Sequence, residues 1–440
     1  MNSLKAPREG KGLFNWTFLF TIASLVIIGL LTLYSTLILP TGGIGDNSIF
    51  TKQLLFLAVG ILLFYILSKI DLSSLKQWQL LLVIYIFTIA LLVATLLFGP
   101  PIKNVKRWLV IGPIQIQPSE IAKLTVIILT AAIFSFKKKF NEWFLFLISF
   151  ILTLPILLLI YLQPSGSMTL LTFGIWFVLA FMGLNSPIRN FVLLSIISLT
   201  VGAFLFSSVT GNNLWYLLLI PSVVISILGF YVKDNWKILI TISLSLALIL
   251  GGITSVAWHK VLKEYQKTRI VAFIAPEEIS PDKLFNVNQS KIAIGSGQIF
   301  GKGFGNGTQS KRNFLPEFRT DFIFAAFAEE FGLVGSLFLM TLYAILIIFS
   351  FWSAIASESD TALSLICIGV GVKILLEIFI NIGTNTGGIP ATGIPLPLMS
   401  AGGTITIITL AALGLVNNVG KQNAQKVRTK SADIVEIYEK

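Results

Sequence analysis

Apolar runs long enough to cross a bilayer recur along nearly the whole chain, near residues 14–37, 50–69, 77–98, 119–136, 143–162, 169–184, 190–209, 214–231, 236–258, 321–352, 361–380 and 402–417. An α-helix needs about 20 such residues to span hydrocarbon, and in that solvent the backbone must satisfy its own hydrogen bonds. The runs therefore predict an all-α, polytopic integral membrane protein with about 10–12 transmembrane helices. Composition agrees: of 440 residues, 55% are hydrophobic and only 12% charged, where a soluble domain carries roughly a quarter charged. The run 14–37 can span and has no small-residue cleavage site after it, so it reads as a retained first helix rather than a signal peptide. Residues 190–231 divide into two spans only at Thr210-Gly211-Asn212-Asn213, a turn-forming cluster.

Lysines and arginines in short connections set the expected orientation. Lys5, Arg8 and Lys11 precede the first run, Lys137-Lys138-Lys139 follow the fourth, and Lys421, Lys426, Arg428 and Lys430 follow the last. By the positive-inside rule, the N-terminal segment 1–13 and the tail 421–440 both face the cytoplasm, flanking a membrane domain over 14–420. Segments 99–118, 163–168, 259–320 and 381–401 then lie outside. They hold most of the unusual residues, so a site on the outer face is expected. The net charge of +12 fits topology and anionic lipid, not nucleic acid. The basic outer loop 259–320 is either a solvated loop or a surface for an anionic headgroup or pyrophosphate. Cys367 is the only cysteine and His259 the only histidine, which excludes an intramolecular disulfide and argues against a zinc site.

Four stretches carry polar chemistry. Lys106-Arg107-Trp108 and Gln117-Pro118-Ser119-Glu120-Ile121-Ala122-Lys123 lead into the fourth run. Ser119 suits a helix N-cap, and Glu120 and Lys123 form an i,i+3 pair that at membrane depth must be matched to each other or to an outer-loop carboxylate. Gln289-Ser290-Lys291 leads into a glycine-rich run through Gly301-Lys302-Gly303, whose glycines allow close backbone approach to a ligand. Then come Leu315-Pro316-Glu317 and Thr320-Asp321, with Glu329-Glu330 beyond. Asp321, Glu329 and Glu330 cannot all face lipid, so they line a cavity or meet the basic loop. Finally, 381–401 is rich in helix breakers yet nearly uncharged, as in a re-entrant wall of a lipid-accessible cavity.

In this order these stretches resemble the SEDS family (RodA, FtsW, SpoVE), bacterial peptidoglycan glycosyltransferases of the cytoplasmic membrane. The matching residues include Arg107-Trp108, Gln117 to Lys123, Gln163-Pro164, Tyr265-Gln266 with Arg269, Gln289-Ser290 through Gly303, Leu315-Pro316-Glu317, Thr320 to Phe324, Glu329-Glu330-Phe331-Gly332 and Thr392 to Pro397. Gly307-Thr308-Gln309 ahead of Leu315 looks more like RodA, which implies cell elongation and rod shape. Three departures stand out. Ser165 occupies a position where the family usually carries aspartate, Ser400-Ala401-Gly402-Gly403 replaces Ser-Tyr-Gly-Gly, and the family's catalytic Asp-Pro step reads Ser280-Pro281-Asp282.

The resemblance implies polymerisation of lipid II with undecaprenyl pyrophosphate leaving, beside a class B penicillin-binding protein transpeptidase. Such a reaction needs a base, cations for the pyrophosphate and a groove for lipid tails. Asp282 is the expected base, with Ser280, Glu277 and Glu278 as alternatives. Arg107, Glu120, Lys123, Arg269, Gln289, Ser290, Lys291, Lys302, Glu317 and Asp321 are the expected substrate-binding residues. No cofactor is demanded, and a divalent cation, Mg2+ or Mn2+, is compatible with the chemistry. Two other readings stay open: a transporter or flippase of lipid-linked precursors, and a catalytically weakened scaffold for a penicillin-binding protein.

Overall fold

The computed structural model describes residues 10–38, 47–102, 105–112, 114–186, 264–311 and 317–439, with positions 43, 45 and 190 between them. The expected spans 190–209, 214–231 and 236–258 lie outside the described residues, as do Arg312, Leu315 and Pro316. The other nine expected spans are all helices: α1 (Gly10–Ser35), α2 (Ser48–Leu67), α3 (Trp78–Phe98), α4 (Pro118–Phe134), α5 (Glu142–Leu162), α6 (Gly166–Gly183) and, after the long loop, three more. A short antiparallel hairpin, β1 (Leu109–Ile111) and β2 (Ile114–Ile116), precedes α4. The loop expected outside contains α7 (Glu264–Ile274) and α8 (Pro281–Ser296), and the last three spans are α9 (Ile323–Ala356), α10 (Thr361–Thr386) and α11 (Gly403–Glu439).

Side-chain chemistry sorts these helices. α2 and α3 are apolar nearly all round and present Leu54, Leu55, Leu62, Leu82, Val83 and Phe87 outward, as lipid-facing spans do. α4 is almost wholly buried, and most of α10 and of the first half of α11 is buried too. Their sequences mix small and polar residues, Ala122, Ala131 and Thr125 on α4, Gly369 and Asn381 on α10, Ala411 and Thr409 on α11. Such residues let membrane helices approach closely and hydrogen-bond across the gap. A Cβ at Gly369 would lie 2.6 Å from Ile127 Cγ2, so α10 meets α4 at a distance no other residue permits. α1 packs on α9, with Phe18 and Phe349 stacked at 4.2 Å between ring centroids.

Several expectations are corrected. Gln117, not Ser119, flanks α4: its extended backbone donates to Thr404 Oγ1 at 2.9 Å, Pro118 opens the first turn, and Ser119 is buried inside it. The breaker-rich segment 381–401 begins as helix, since α10 runs to Thr386. The tail after residue 420 continues α11 to Glu439.

The chain divides into two compact units, the first formed by Met1–Leu184, Val287–Thr386 and Thr392–Lys440, the second by Asn185–Asn286 and Gly387–Ala391. Within the first, the segments expected on one side of the membrane bind one another. Arg107 donates to the Pro164 carbonyl, Thr404 Oγ1 to Gln115 O at 3.3 Å, Ser290 Oγ to Asn385 O at 2.8 Å and Ser400 Oγ to Thr320 O at 2.7 Å. The connections expected on the other side meet as well: Lys76 pairs with Asp360 at 2.6 Å, and Asn418 donates to Leu67 O and Ile70 O.

Candidate active site at the loop end of the bundle

In the first unit the loop end is built on backbone whose hydrogen bonds are met by neighbouring chain. After α10 the segment 392–401 buries Ile394, Leu396, Leu398, Met399 and Ser400. Irregular backbone at this depth is tolerated only where protein or water satisfies it. Here Tyr343 donates to Pro397 O at 2.5 Å, Gln53 Nε2 to Ser400 O at 3.4 Å, and Ala401 N to Arg319 O at 2.8 Å. Ser400 closes the turn by accepting from Leu396 N at 2.8 Å.

Below this floor lies a group of charges. Lys123 Nζ bonds Glu120 Oε1 at 2.8 Å and Glu377 Oε1 at 2.5 Å, while Lys373 Nζ bonds Glu377 Oε2 at 2.8 Å and Thr409 Oγ1 at 3.1 Å. Both lysines and both glutamates have fully buried side chains. The expected pairing of Glu120 with Lys123 is therefore present, but the second carboxylate comes from α10 rather than an outer loop. The signal for it was a lysine and a glutamate four apart, Lys373 and Glu377, inside the otherwise apolar run 361–380. Ionisable residues inside a span point to partners by default.

Gly297 and Gly301 of the glycine-rich run closely approach the backbone of α9. α9 breaks at Gly332, which has φ 64° and ψ −161°. The backbone groups beside the break are taken up by the run: Lys302 N donates to Glu329 O at 3.0 Å and Gly303 N to Glu330 O at 2.9 Å, while Leu333 N and Val334 N donate to Gln298 O at 2.9 Å and Ile299 O at 3.0 Å. Gly301, at φ 80°, lies so close to the Glu330 carbonyl that no Cβ fits. The same contact brings Glu329 Oε1 to Thr308 N at 2.8 Å, Thr308 Oγ1 at 2.7 Å and Lys302 Nζ at 2.7 Å. Glu330 accepts from Ser35. The expectation that these acids meet the basic loop holds for Glu329.

Other expected site residues of this unit differ in exposure. Ser290 is fully buried against Asn385, Lys291 and Glu317 are exposed, and Arg107, Gln289 and Asp321 are half-buried. In the second unit, α7 carries exposed Arg269, a single 3-10 turn spans Pro276–Glu278 with Glu277 exposed, and Ser280 is exposed immediately before α8. Pro281 and Asp282 are the first two residues of α8. Serine before a helix, proline at its first position and an acid in its first turn are each favoured by helix-terminus chemistry. The local sequence thus explains why α8 starts there, independently of catalysis. Among the described residues, no group of three His, Cys, Asp or Glu side chains could hold a metal ion.

A family profile described as "Cell cycle protein" (FtsW, RodA, SpoVE) matches residues 15–214 and 214–425. The chain is similar to the peptidoglycan glycosyltransferase MrdB of Escherichia coli K12, 31% identical over 397 residues that cover 90% of this chain and 92% of that one. It is similar to the peptidoglycan glycosyltransferase RodA of Treponema pallidum, 29% identical over 92% of this chain and 97% of that one. Two solved structures share the fold. One, described as "Structural coordination of polymerization and crosslinking by a peptidoglycan synthase complex", aligns with a TM-score of 0.65 at 24% identity, covering 93% of this chain and 98% of that one. The other, the rod shape determining protein RodA of Thermus thermophilus, aligns with a TM-score of 0.57 at 24% identity, covering 93% and 97%. With the multi-helix membrane fold and the gathered loop end, these matches establish that the chain belongs to the FtsW/RodA/SpoVE family.

Proposed function

We propose that this multi-pass membrane protein is a peptidoglycan glycosyltransferase that polymerises lipid II during cell elongation, working in the bacterial cytoplasmic membrane with its loop end outside and both termini in the cytoplasm. The observation that carries the reading is 31% identity to a peptidoglycan glycosyltransferase across 90% of the chain. The loop end supports it, because the family-like stretches around Arg107, Pro164, Ser290, Thr320 and Ser400 are hydrogen-bonded within one unit. In the reaction, the 4-hydroxyl of an acceptor N-acetylglucosamine attacks the anomeric carbon of the donor chain's N-acetylmuramic acid. The hydroxyl proton goes to a base and undecaprenyl pyrophosphate departs.

A sugar hydroxyl is a weak acid, so a positioned carboxylate is worth about 10²–10⁴-fold in rate. Asp282 takes that role in this reading, with Glu277 and Glu278 next, since serine alone cannot do it. For the pyrophosphate, Lys123 is committed to Glu120 and Glu377, and Lys302 to Glu329. Arg269 and Lys291 are then the exposed cations and Arg107 a half-buried one on the Pro164 carbonyl, and Glu120, Lys123 and Ser290 are assigned supporting roles. A class B penicillin-binding protein is the proposed partner, as the structure described as a synthase complex suggests by likeness of fold.

The test is polymerisation of lipid II by the purified protein in proteoliposomes, with and without the partner. Asp282→Asn removes the basic oxygen at constant size and should abolish glycan strands while leaving protein level and partner binding intact. Full activity in that variant would move the base to Glu277 or Glu278. The weakened-scaffold reading draws on one observation, Ser280 in the Ser-Pro step, and predicts an unmutated protein that binds its partner but forms no strands. Loss of activity in EDTA with recovery in Mg2+ or Mn2+ would add a divalent cation.

A further inference from the structure

Along α10, Lys373, Glu377, Asn381 and Asn385 follow one another at intervals of four, so they form a gently winding stripe on one side of the helix. All four are buried, none more than 1% exposed. Polar groups in a membrane helix require partners, and the partners change along the stripe. Lys373 and Glu377 engage α11 and α4 through Thr409 and Lys123. Asn381 and Asn385 engage the loop end. Asn381 Nδ2 donates to Asp321 O and Ile394 O, both at 2.8 Å. Asn385 Nδ2 donates to Asp321 O at 3.0 Å and Asn381 O at 2.8 Å, and its Oδ1 accepts from Ala325 N at 3.1 Å and Ser290 Oγ at 3.4 Å. Ser290 Oγ also donates to the backbone carbonyl of Asn385.

Two amides therefore bind three separate stretches of chain: α8 at Ser290, the start of α9 at Asp321 and Ala325, and the irregular segment at Ile394. Ser290 sits between Gln289 and Lys291, and Asp321 opens the second stretch, so two of the three stretches held carry residues expected to bind substrate. An amide serving only its own helix would need one i−4 carbonyl, yet Asn385 uses both donors and its acceptor, and most of those bonds leave α10. We propose that Asn385, together with Asn381, is a positioning residue of the active site, and that the stripe through Glu377 and Lys373 fixes the same register to α4. The kinetic consequence rests on the glycosyltransferase reading, whereas the register does not.

The experiment compares full-length wild type, Asn385→Leu, Asn385→Asp and Thr386→Val in lipid nanodiscs. Thr386 is the exposed neighbour and its variant serves as control. With lipid II, Asn385→Leu should lose about 10–100-fold in kcat with KM within about twofold, as expected when reacting groups are misplaced by about an ångström rather than unbound. Asn385→Asp keeps the acceptor for Ala325 N and should fall between wild type and Asn385→Leu. In amide hydrogen exchange, residues 287–296 and 392–400 should exchange at least tenfold faster in Asn385→Leu, with α2 and α4 unchanged. Reduced folded yield with normal kcat per folded molecule, or faster exchange spread evenly over all helices, would overturn the proposal. If Asn385→Leu does not insert, Asn385→Asp carries the same comparison. Inactive wild-type protein would sink the glycosyltransferase reading alone, because the exchange pattern still decides the register.

Discussion

Glu377 and Glu329 are both buried carboxylates on membrane helices, and each is held by lysine, yet their surroundings differ. Glu377 lies mid-helix, where every backbone N–H is used by the carbonyl four residues back, so only other side chains are available to neutralise it. It takes two ammonium groups, Lys123 and Lys373, both without exposed surface. Glu329 lies beside the break at Gly332, where the facing loop has free N–H groups. It accepts from the backbone of Thr308 and Gln309, the Thr308 hydroxyl and one lysine, Lys302, whose side chain is 27% exposed. Backbone donors at a broken helix replace the second cation that an intact helix requires.

That contrast breaks most decisively at Glu377. Glu377→Leu leaves two ammonium groups facing one carboxylate, Glu120, in a dry interior and should cost about 3–5 kcal/mol, seen as loss of folded protein from membranes or a large drop in unfolding midpoint in detergent. Replacing Glu120, Lys123, Lys373 and Glu377 together by leucine or methionine should restore most of that loss, because the network then disappears as a unit. If the fourfold variant is as unstable as the single one, the charges are doing more than neutralising each other.

At Glu329 the expected effect is smaller. Glu329→Ala removes charge-assisted bonds worth about 1.5–3 kcal/mol, and its readout is faster amide exchange confined to residues 302–309. Salt separates the two sites: raising ionic strength should loosen the partly exposed Lys302 pair and leave the Glu377 network unchanged. Gly332→Ala forces a side chain onto a left-handed backbone against Ile299 and Gly301, at about 1–3 kcal/mol. It should release residues 298–303 to proteolysis without dissociating α9 from α10. The smallest effect belongs to the opposite end of the bundle. Lys76 and Asp360 are 37% and 24% exposed, so Lys76→Ala should cost no more than about 1 kcal/mol in unfolding free energy. A larger loss there would mean that burial is a poor guide to the strength of these pairs.

Much of the bundle was legible in sequence because hydrocarbon permits so few structures: nine expected spans appear as helices, most within a few residues of their predicted bounds, although α10 and α11 run on past theirs to Thr386 and Glu439. The Glu120–Lys123 pair was legible for the same reason, being costly unless matched. The third partner was not, because Glu377 is 254 residues from Lys123 and no local pattern states which spans adjoin. The glycine-rich run was legible only in part. Its composition announced a close backbone approach but could not say to what, and the neighbour turned out to be the broken turn of α9. Residues 381–386 looked like loop because Gly383, Asn381 and Asn385 disfavour helix, yet burial of both amides against other segments outweighs that local preference.

Gly369 has a bearing on how this sequence can change over time. The approach of α10 to α4 that it permits is also what lets Lys123 reach Glu377, so a larger residue at 369 would wedge the helices and stretch a salt bridge about two turns away. Substitution at 369 and loss of charge at 123, 373 or 377 are therefore not independent steps. A lineage that first neutralises all the charges meets only the contact with Ile127 at 369, whereas one that enlarges 369 first passes through a protein with unmatched ions in its interior. The order in which these positions vary among descendants should be one-way, with glycine retained wherever the lysines and glutamates remain.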